Sequence, residues 1–353
     1  MVIVRTPVRI SFVGGGTDQP EFYREHGGAV VSAAINKYFY TVLTKRDDDV
    51  VQVISSDLKA MEEVRRIQVD AYEGDLRIPM AVVKHLKVRQ GLNLFLASEI
   101  PPGTGLGSSA AVCVNVLRAL WEMEGRPHSK YELAEEAFKV AREILKAPVG
   151  KQDEYAAAFG GINEIRFAGD GVQVEPLPLD EGIIDRLEQR ILLFFTGSQR
   201  NSYEILAEQC RRSEQKDARV LRALQELRSL VAEARDALVR ADLDRFGEIL
   251  DFGWQQKKQI SGRISNREID GIYDEARRHG ALGGKLAGAG GGGFFILVAR
   301  EGRQEELREA LLAKGLKEMS FHFDLCGSRV VYNDPFFDSN GRGGTRWRFV
   351  PEA

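Results

Sequence analysis

Residues 101–111 read PPGTGLGSSAA, and this stretch decides the fold class. Glycines at alternate positions, Gly103, Gly105 and Gly107, let successive backbone N–H groups converge on one point. The serines and alanines that follow begin a helix, whose unsatisfied N–H groups and positive dipole end face the same point. Phosphate is the natural occupant of such a site. The stretch therefore predicts a phosphate-binding loop that leads directly into a buried helix.

Two further glycine clusters lie at 14–16 and 288–293. Glycine costs backbone entropy and supplies no packing, so tight turns alone explain three clusters in one chain poorly. Common nucleotide-binding motifs do not fit, however. No lysine follows Gly107, as a Walker A loop requires, and Gln19 stands where a dinucleotide fingerprint needs its third glycine. The lysine and HRD signatures of protein kinases are missing as well.

The composition is that of a folded chain with nearly balanced charge. Its 353 residues are 43% hydrophobic and 29% charged, which suits about two domains and excludes disorder or a coiled coil. Lysine plus arginine (49) nearly equals aspartate plus glutamate (52), so we expect neither nucleic acid nor a membrane as partner. The three cysteines are far apart and argue against a disulfide framework. Arg5 and Arg9 interrupt the apolar N-terminus, so we expect no signal peptide or spanning helix, and a cytoplasmic location.

Hydrophobic periodicity divides the chain into two parts. Short apolar runs bounded by turns predict strands, and the main ones lie at 2–4, 10–13, 38–43, 50–54, 92–97, 190–196, 294–298 and 330–332. Helical periods predict helices at 110–124, 131–146 and 202–241, the last one long and charged with a single apolar face. The change of character predicts a domain boundary near residue 185. We expect a first domain at 1–185 and a second at 186–353.

Three segments, in order along the chain, resemble one family. Residues 101–111 resemble the phosphate-binding motif of the GHMP kinases (galactokinase, homoserine kinase, mevalonate kinase, phosphomevalonate kinase). PVRISFVGGGTD at 7–18 and KLAGAGGGGF at 285–294 resemble the N-terminal and C-terminal motifs of that family. The GGGTD ending, and GKQDEYAAAFGG at 150–161, resemble sugar kinases of the D-glycero-D-manno-heptose 7-phosphate kinase type. The resemblance implies an α+β, two-domain GHMP kinase fold, N-terminally like ribosomal protein S5 domain 2 and C-terminally ferredoxin-like.

By resemblance, the phosphate loop binds ATP. The ATP-binding residues would be Pro102, Gly103, Thr104, Gly105, Leu106, Gly107, Ser108 and Ser109. Ser109 would contribute its hydroxyl to Mg²⁺, and Ser108 would bind phosphate. The alternative is that both serines only cap the helix. The resemblance thus implies ATP and Mg²⁺ as the cofactors.

Asp153 and Arg9 are the predicted catalytic residues. In the family, the aspartate of this motif lies beside the acceptor hydroxyl as a general base or orienting group. A helix N-cap is the alternative for Asp153. Arg9 is a charge within an apolar strand, where an unpaired charge is costly. By resemblance it steadies the aspartate or the moving phosphoryl group, and the alternative is a structural ion pair.

The first and third glycine segments are the predicted acceptor site. By resemblance, the substrate-binding residues would be Gly15, Gly16, Thr17, Asp18, Gly290 and Gly291. The short polar side chains of Thr17 and Asp18 can hydrogen-bond sugar hydroxyls, although a local turn is the alternative. The third segment would approach the site through its backbone, unless it serves close packing of a helix on a strand.

The sequence departs from the family at the metal site. Many members have a glutamate on the helix before the aspartate motif, and this chain has Ala141 at that position. Glu143 is a candidate ligand only if the register of the helix slips. Otherwise Ser109, the nucleotide phosphates and water would hold the ion, because Mg²⁺ commonly keeps several waters.

The expected function is ATP-dependent phosphorylation of a sugar hydroxyl, with the anomeric C1 hydroxyl of D-glycero-D-manno-heptose 7-phosphate or a close relative as the acceptor. The expected partners are therefore small molecules, a sugar or sugar phosphate and ATP. Lys151, Arg200 and Arg24 are candidate cations for an acceptor phosphate. One alternative is a kinase for a neutral sugar such as fucose. A second, from a different class, is a non-catalytic regulator that binds sugar and nucleotide. The oligomeric state stays open.

Overall fold

A computed structural model describes residues 1–65, 74–197 and 202–333. The first part of the chain alternates strands and helices: β1 (Val2–Val13), α1 (Pro20–His26), β2 (Gly28–Lys45), β3 (Val50–Ser55), β4 (Ala60–Arg65), α2 (Arg77–His85), β5 (Leu92–Ser98), α3 (Ser108–Met123), α4 (Lys130–Lys139), a π-helix (Val140–Ile144), α5 (Gln152–Phe159), β6 (Ile162–Ala168) and β7 (Gly171–Pro176). Each apolar run that predicts a strand in this part lies within one of these strands.

The second part is richer in helices: α6 (Glu181–Arg190), β8 (Ile191–Phe195), α7 (Ser202–Glu214), α8 (Ala218–Val239), α9 (Leu243–Ile260), α10 (Arg267–Arg278), β9 (Ala281–Leu286), β10 (Phe294–Ala299), α11 (Gln304–Ala313), β11 (Lys317–Glu318) and β12 (Arg329–Asn333). The prediction of one continuous helix over 202–241 is wrong. Asp217 caps α8 by accepting hydrogen bonds from the N–H groups of Arg219 and Val220, after Lys216 adopts a positive φ. No glycine or proline marks that break in the sequence.

Two sheets organise the fold. In the larger one the order is β12-β1-β2-β5-β3-β4, with β6 paired to β2 and β7 to β6. The smaller sheet has the order β11-β8-β10-β9, and all its pairs are antiparallel. Strand β12 leaves the second part of the chain and pairs with β1. Residue 185 lies inside α6, and the division of the chain at that residue stays a prediction.

Helix α3 is anchored on the larger sheet by a buried amide. It packs on β1 and β2. Within that contact, Asn115 Nδ2 donates hydrogen bonds to Thr6 Oγ1 (2.8 Å) and to the carbonyl of Phe39 (3.0 Å). Such buried polar contacts fix the orientation of a helix as apolar packing alone does not. The N-terminus of α3, directly after the phosphate loop, is thereby held in place.

The second part of the chain packs directly on the first. Helices α8 and α9 both contact β1, and the rings of Phe12 and Phe246 meet edge to face at 5.2 Å. One buried apolar cluster includes residues of both parts. Side chains from α9 and from the strand β9 can therefore reach the end of β1 that carries the first glycine cluster.

Candidate active site

The three glycine segments meet around one cavity. Thr104 and Gly105 lie against the third segment: the N–H of Phe294 donates to the carbonyl of Thr104 (3.2 Å). A Cβ atom on Gly105, whose φ is +84°, would lie 2.5 Å from the carbonyl oxygen of Ala287. The N–H of Arg9 donates to the carbonyl of Leu106 (2.9 Å) and so joins β1 to the phosphate loop. Backbone-to-backbone contact, which only glycine allows here, brings the segments together.

Arg9 and Asp153 form the best-defined charge pair of the cavity. Arg9 Nε donates to Asp153 Oδ1 and Nη2 donates to Oδ2, both at 2.8 Å, and Nη1 donates to the carbonyl of Gly105 at 2.6 Å. The arginine side chain is 3% exposed, whereas the carboxylate is 29% exposed and lines the cavity. Bidentate charge-assisted contact fixes both planes. The alternative that Asp153 caps α5 is wrong, because the N-cap residue is Lys151.

Asp18 is buried at the wall of the same cavity. Its carboxylate accepts hydrogen bonds from the N–H of Gly16 (2.8 Å) and from the backbone and side chain of Gln152 (3.2 Å each). Burial, and after it the charge of Asp153, raise the pKa of Asp18. A Cβ atom on Gly150 would lie 2.1 Å from Asp18 Oδ2, so the glycine makes room for the carboxylate. Gly16 and Asp18 both line the cavity.

Thr17 is not brought to the cavity, which corrects its predicted contact with the sugar. Its hydroxyl donates to the carbonyl of Ala29 (2.9 Å) and accepts from the N–H of the same residue (3.0 Å). Both contacts are fully buried, so the side chain ties the turn to β2. The carbonyl of Gly15, the third residue before Asp18, accepts a hydrogen bond from Lys257 (3.3 Å).

The third glycine segment faces the cavity at a different point from the one predicted. Gly288 and Ala289 line the cavity. Gly290 and Gly291 instead pack against Ile264: the N–H of Gly291 donates to the carbonyl of Ile264 (2.8 Å), and a Cβ atom on Gly290 would lie 2.9 Å from that residue. Gly290 and Gly291 therefore serve packing, but against the loop between α9 and α10 and not between a helix and a strand.

The phosphate loop separates two cavities. Gly107, with φ +77°, is the N-cap of α3, and no side chain caps this helix, so the capping alternative for Ser108 and Ser109 is wrong. Ser109 lines both cavities, whereas Pro102 and Ser108 line the second one. The side chains of Thr104 and Leu106 are buried and support the loop. Gly103 is exposed and, like Gly105 and Gly107, has a positive φ.

Two buried lysines of the second part of the chain contact the backbone of residues 11–15, and the sequence predicted neither of them as a site residue. Lys257 on α9 lines the cavity, and its Nζ donates to the carbonyl of Gly15 (3.3 Å). Burial lowers the pKa of Lys257 to about 8, against the opposing charge of Asp18. Lys285 donates to the carbonyl of Ser11 (2.9 Å), and burial lowers its pKa further. A sequence signal existed for Lys257, since it falls on the apolar face of α9.

Glu154 is a second missed residue of the cavity wall. It is 2% exposed and follows Asp153 on α5. Burial, and after it the charge of Asp153, raise the pKa of Glu154 well above its usual range. Its Oε2 atom has no hydrogen-bond partner among the described residues.

Glu143 does not line the cavity, which corrects the prediction that it is a candidate metal ligand. The π-helix shifts the register at this point, yet Glu143 is exposed and it is Ala141 that lines the cavity. Within residues 1–65, 74–197 and 202–333, no three His, Cys, Asp or Glu side chains are grouped as a metal site.

Two of the three predicted cations for an acceptor phosphate, Lys151 and Arg24, lie outside the cavity. Lys151 pairs with Glu135 at 2.5 Å, and Arg24 is exposed; neither lines the cavity. Arg200 lies outside the described residues.

Comparisons with known proteins show the family of this chain. The family model for the GHMP kinases N terminal domain matches residues 77–161, and the model for the GHMP kinases C terminal region matches residues 234–317. The D-glycero-alpha-D-manno-heptose 7-phosphate kinase of Campylobacter jejuni is 33% identical over 313 residues, covering 87% of this chain and 92% of that protein. The chain belongs to the GHMP kinase family.

Two further relatives are also named as kinases of a sugar or a sugar phosphate. A crystal structure of a D-glycero-D-manno-heptose 1-phosphate kinase from Bacteroides thetaiotaomicron has a TM-score of 0.78 at 26% identity, covering 94% of this chain and 100% of that one. The bifunctional fucokinase/GDP-fucose pyrophosphorylase of Arabidopsis thaliana is 26% identical over 326 residues, covering 87% of this chain but 31% of that protein. The predictions of the family, of the α+β fold and of an ATP-dependent sugar kinase are confirmed.

One further observation concerns membranes. Within the described part of the chain, no helix has the length and apolar character required to cross a bilayer.

Proposed function

We propose that this kinase transfers the γ-phosphoryl group of ATP to the anomeric C1 hydroxyl of D-glycero-D-manno-heptose 7-phosphate or a close relative. The observation that carries the proposal is the bidentate Arg9–Asp153 pair, which lines a cavity beside the N-terminus of α3. The name of the Campylobacter jejuni relative supports the choice of acceptor.

The donor end of the site is the phosphate loop. The backbone N–H groups at the start of α3 and the positive end of its dipole favour the phosphates of ATP there. The second cavity, on the other side of Ser109, is lined by apolar residues such as Leu96 and Ile100 together with Asp57. A mixed lining of this kind suits the nucleoside, so ATP would extend from the second cavity to the first.

Mg²⁺ fits the oxygen donors at this junction. Ser109 lines both cavities, and a carboxylate oxygen of Glu154 has no partner among the described residues. Oxygen ligands are what this cation prefers. When bound, Mg²⁺ offsets the charge of the phosphate oxygens. Ser109 would hold it, as the sequence resemblance implies.

The reacting hydroxyl would lie against Asp153. The acceptor oxygen forms a bond to the γ-phosphorus while the bond from that phosphorus to the bridging oxygen of ATP breaks, and ADP leaves. The hydroxyl proton passes to Asp153, whose carboxylate Arg9 holds in one orientation. Positioning supplies much of the rate in reactions of this kind. Asp18 and the backbone of Gly16 would hydrogen-bond other sugar hydroxyls.

Lys257 would bind the phosphate of the acceptor. Among the described residues, three cations line the cavity: Arg9, Arg77 and Lys257. Arg9 is paired with Asp153 and Arg77 is exposed, whereas Lys257 is buried and donates to a backbone carbonyl. Its ammonium group keeps donors for an anion, and a hydrogen bond between two charged groups is among the stronger ones.

A kinase for a neutral sugar such as fucose is the second candidate. It is favoured by the placement of Lys151 and Arg24 outside the cavity and by the similarity to the fucokinase. ADP release across a panel of sugars and sugar phosphates tests both functions. The heptose 7-phosphate should give the highest kcat/KM, and a higher value for free fucose would replace the proposal by the second candidate.

A further inference from the structure

One carboxylate of the cavity takes no part in the proton transfer or the sugar binding described above, although one of its oxygens suits a cation. Glu154 is 2% exposed and lines the cavity, yet its Oε2 atom has no hydrogen-bond partner among the described residues. Burial of an unpartnered carboxylate oxygen costs folding free energy, and a buried polar atom of this kind calls for an explanation such as a missing ion.

The side chain lies against the helix that carries Ser109. Burial, and after it the charge of Glu154, raise the pKa of the Cys113 thiol. Cys113 follows Ser109 by four residues and so shares its face of α3. Ser109, Cys113 and Glu154 all line the same cavity. The start of α5 therefore presents Glu154 to the face of α3 that begins at the phosphate loop.

The other carboxylates of this cavity wall already have partners. Asp153 is bound by Arg9, and Asp18 is bound by Gly16 and Gln152. Ala141 contributes only a methyl group. Glu154 is thus the acidic side chain of the described cavity wall that has a carboxyl oxygen without a hydrogen bond.

We propose that Glu154 supplies a carboxylate ligand to the divalent cation that accompanies the nucleotide, together with the Ser109 hydroxyl. This inference rests on the proposed function, because that function brings the nucleotide to α3. Two protein oxygens suffice, since Mg²⁺ completes its octahedral shell with phosphate oxygens and water. The cation in turn provides the opposite charge that the buried carboxylate lacks.

Binding of Mn²⁺ in the presence of ADP tests the assignment without any reaction. Free Mn²⁺ is measured by electron paramagnetic resonance for the wild type, Glu154→Gln and the matched control Glu143→Gln, an exposed carboxylate outside the cavity. Glu154→Gln should weaken Mn²⁺ binding by about tenfold or more, the range found even for residues that only support a ligand. Glu143→Gln should bind as the wild type does. Wild-type affinity in a folded Glu154→Gln protein would overturn the proposal.

A measurement on the wild type does not depend on the folding of any variant. Protein labelled with ¹³C at the glutamate carboxyl carbons should show a ¹³C coupling to Mn²⁺ in its ADP complex by electron–nuclear double resonance. The absence of this coupling overturns the proposal. Ala141→Glu in the Glu154→Gln background should restore part of the Mn²⁺ affinity, because it returns a carboxylate to the same cavity wall.

These outcomes are separable from those of the proposed function. If the wild type binds Mn²⁺ through Glu154 but phosphorylates no sugar, the proposed function fails and the ligand assignment stands. If the sugar is phosphorylated while Glu154→Gln binds Mn²⁺ normally, the ligand assignment fails and the function stands.

Discussion

The charged side chains on two walls of the active-site cavity have different hydrogen-bond partners. On one wall, Arg9 of β1 and Asp153 of α5 share two hydrogen bonds of 2.8 Å. On the other, Lys257 of α9 has a single 3.3 Å contact with the carbonyl of Gly15. The first wall is complete before any ligand binds, so its geometry is ready for the reaction. The second keeps a buried ammonium group whose remaining donors suit an anion. In the proposed function, the reacting hydroxyl and the acceptor phosphate are therefore bound by different parts of the chain.

The largest expected effect comes from removing the negative charge of Asp153 on the first wall. Asp153→Asn keeps the size of the side chain but removes the charge and the proton acceptor, so kcat should fall by about 10²-fold or more. The variant should fold, since Lys151 and not Asp153 is the N-cap of α5. Its melting temperature should be lower, because the Arg9 side chain, which is 3% exposed, loses its charged partner. Steady-state kinetics and thermal melting measure the two quantities. An unchanged kcat in the folded variant would remove Asp153 from the mechanism.

The next largest effect is expected from removing the ammonium group of Lys257 on the second wall. Lys257→Met keeps a long apolar stem but removes the ammonium group, and kcat/KM for the phosphorylated sugar should fall by about 10-fold to 10²-fold. The matched control is Lys258→Met, because Lys258 contacts Asp270 at 3.3 Å and does not line the cavity. It should behave as the wild type. An equal loss for the unphosphorylated sugar would show that Lys257 does not recognise the acceptor phosphate.

The pH dependence of the preference for the phosphorylated sugar tests the role of Lys257 on the second wall. Burial lowers the pKa of Lys257 to about 8, and Asp18, Arg9 and Asp153 are the charged groups that act on it. The ammonium group is present below this pKa and is lost as pH rises through it. The preference for the phosphorylated sugar should therefore decline above about pH 8. Lys257→Arg should extend the preference to higher pH, because a guanidinium stays charged. A preference that is constant from pH 7 to 9.5 in the wild type would contradict this role.

The smallest expected effect is at the serine between the two cavities. Ser109→Ala should raise the Mg²⁺ concentration for half-maximal rate by a few-fold, if about 1 kcal/mol is lost with the hydroxyl. The free energy of unfolding should change by less than about 0.5 kcal/mol, since Gly107 is the N-cap. Activity as a function of Mg²⁺ and urea unfolding measure both. An unchanged Mg²⁺ requirement would remove the hydroxyl from the metal site.

The sequence predicted the parts of the site that depend on local patterns. Alternating glycines predict the loop that precedes α3, and a charge within an apolar strand predicts a partner for Arg9. The identity of that partner, Asp153, came from the resemblance of two distant segments to one family. Neither inference requires knowledge of how the helices pack.

Contacts between distant elements were harder to predict. Thr17 and Asp18 are adjacent and both polar, yet their side chains have different surroundings. The Thr17 hydroxyl is buried in hydrogen bonds with the backbone of Ala29. The Asp18 carboxylate is held at the cavity by the backbone N–H groups of Gly16 and Gln152. The place of Lys257 and Glu154 in the cavity wall depends on how α9 and α5 pack against β1 and α3. For Lys257 the sequence offers one signal, its position on the apolar face of α9. A regular helical period points Glu143 away from the site, and although a π-helix occurs at this place, it does not bring the side chain to the cavity.

The most direct test of the central claim is the ratio of kcat/KM for D-glycero-D-manno-heptose 7-phosphate to that for the unphosphorylated heptose. A remote phosphate offers binding energy that positions the reacting hydroxyl against Asp153. The expected ratio is about 10²-fold, equivalent to about 2.7 kcal/mol, and it should shrink as salt rises because screening weakens charged contacts. A ratio near one at low salt would contradict the account.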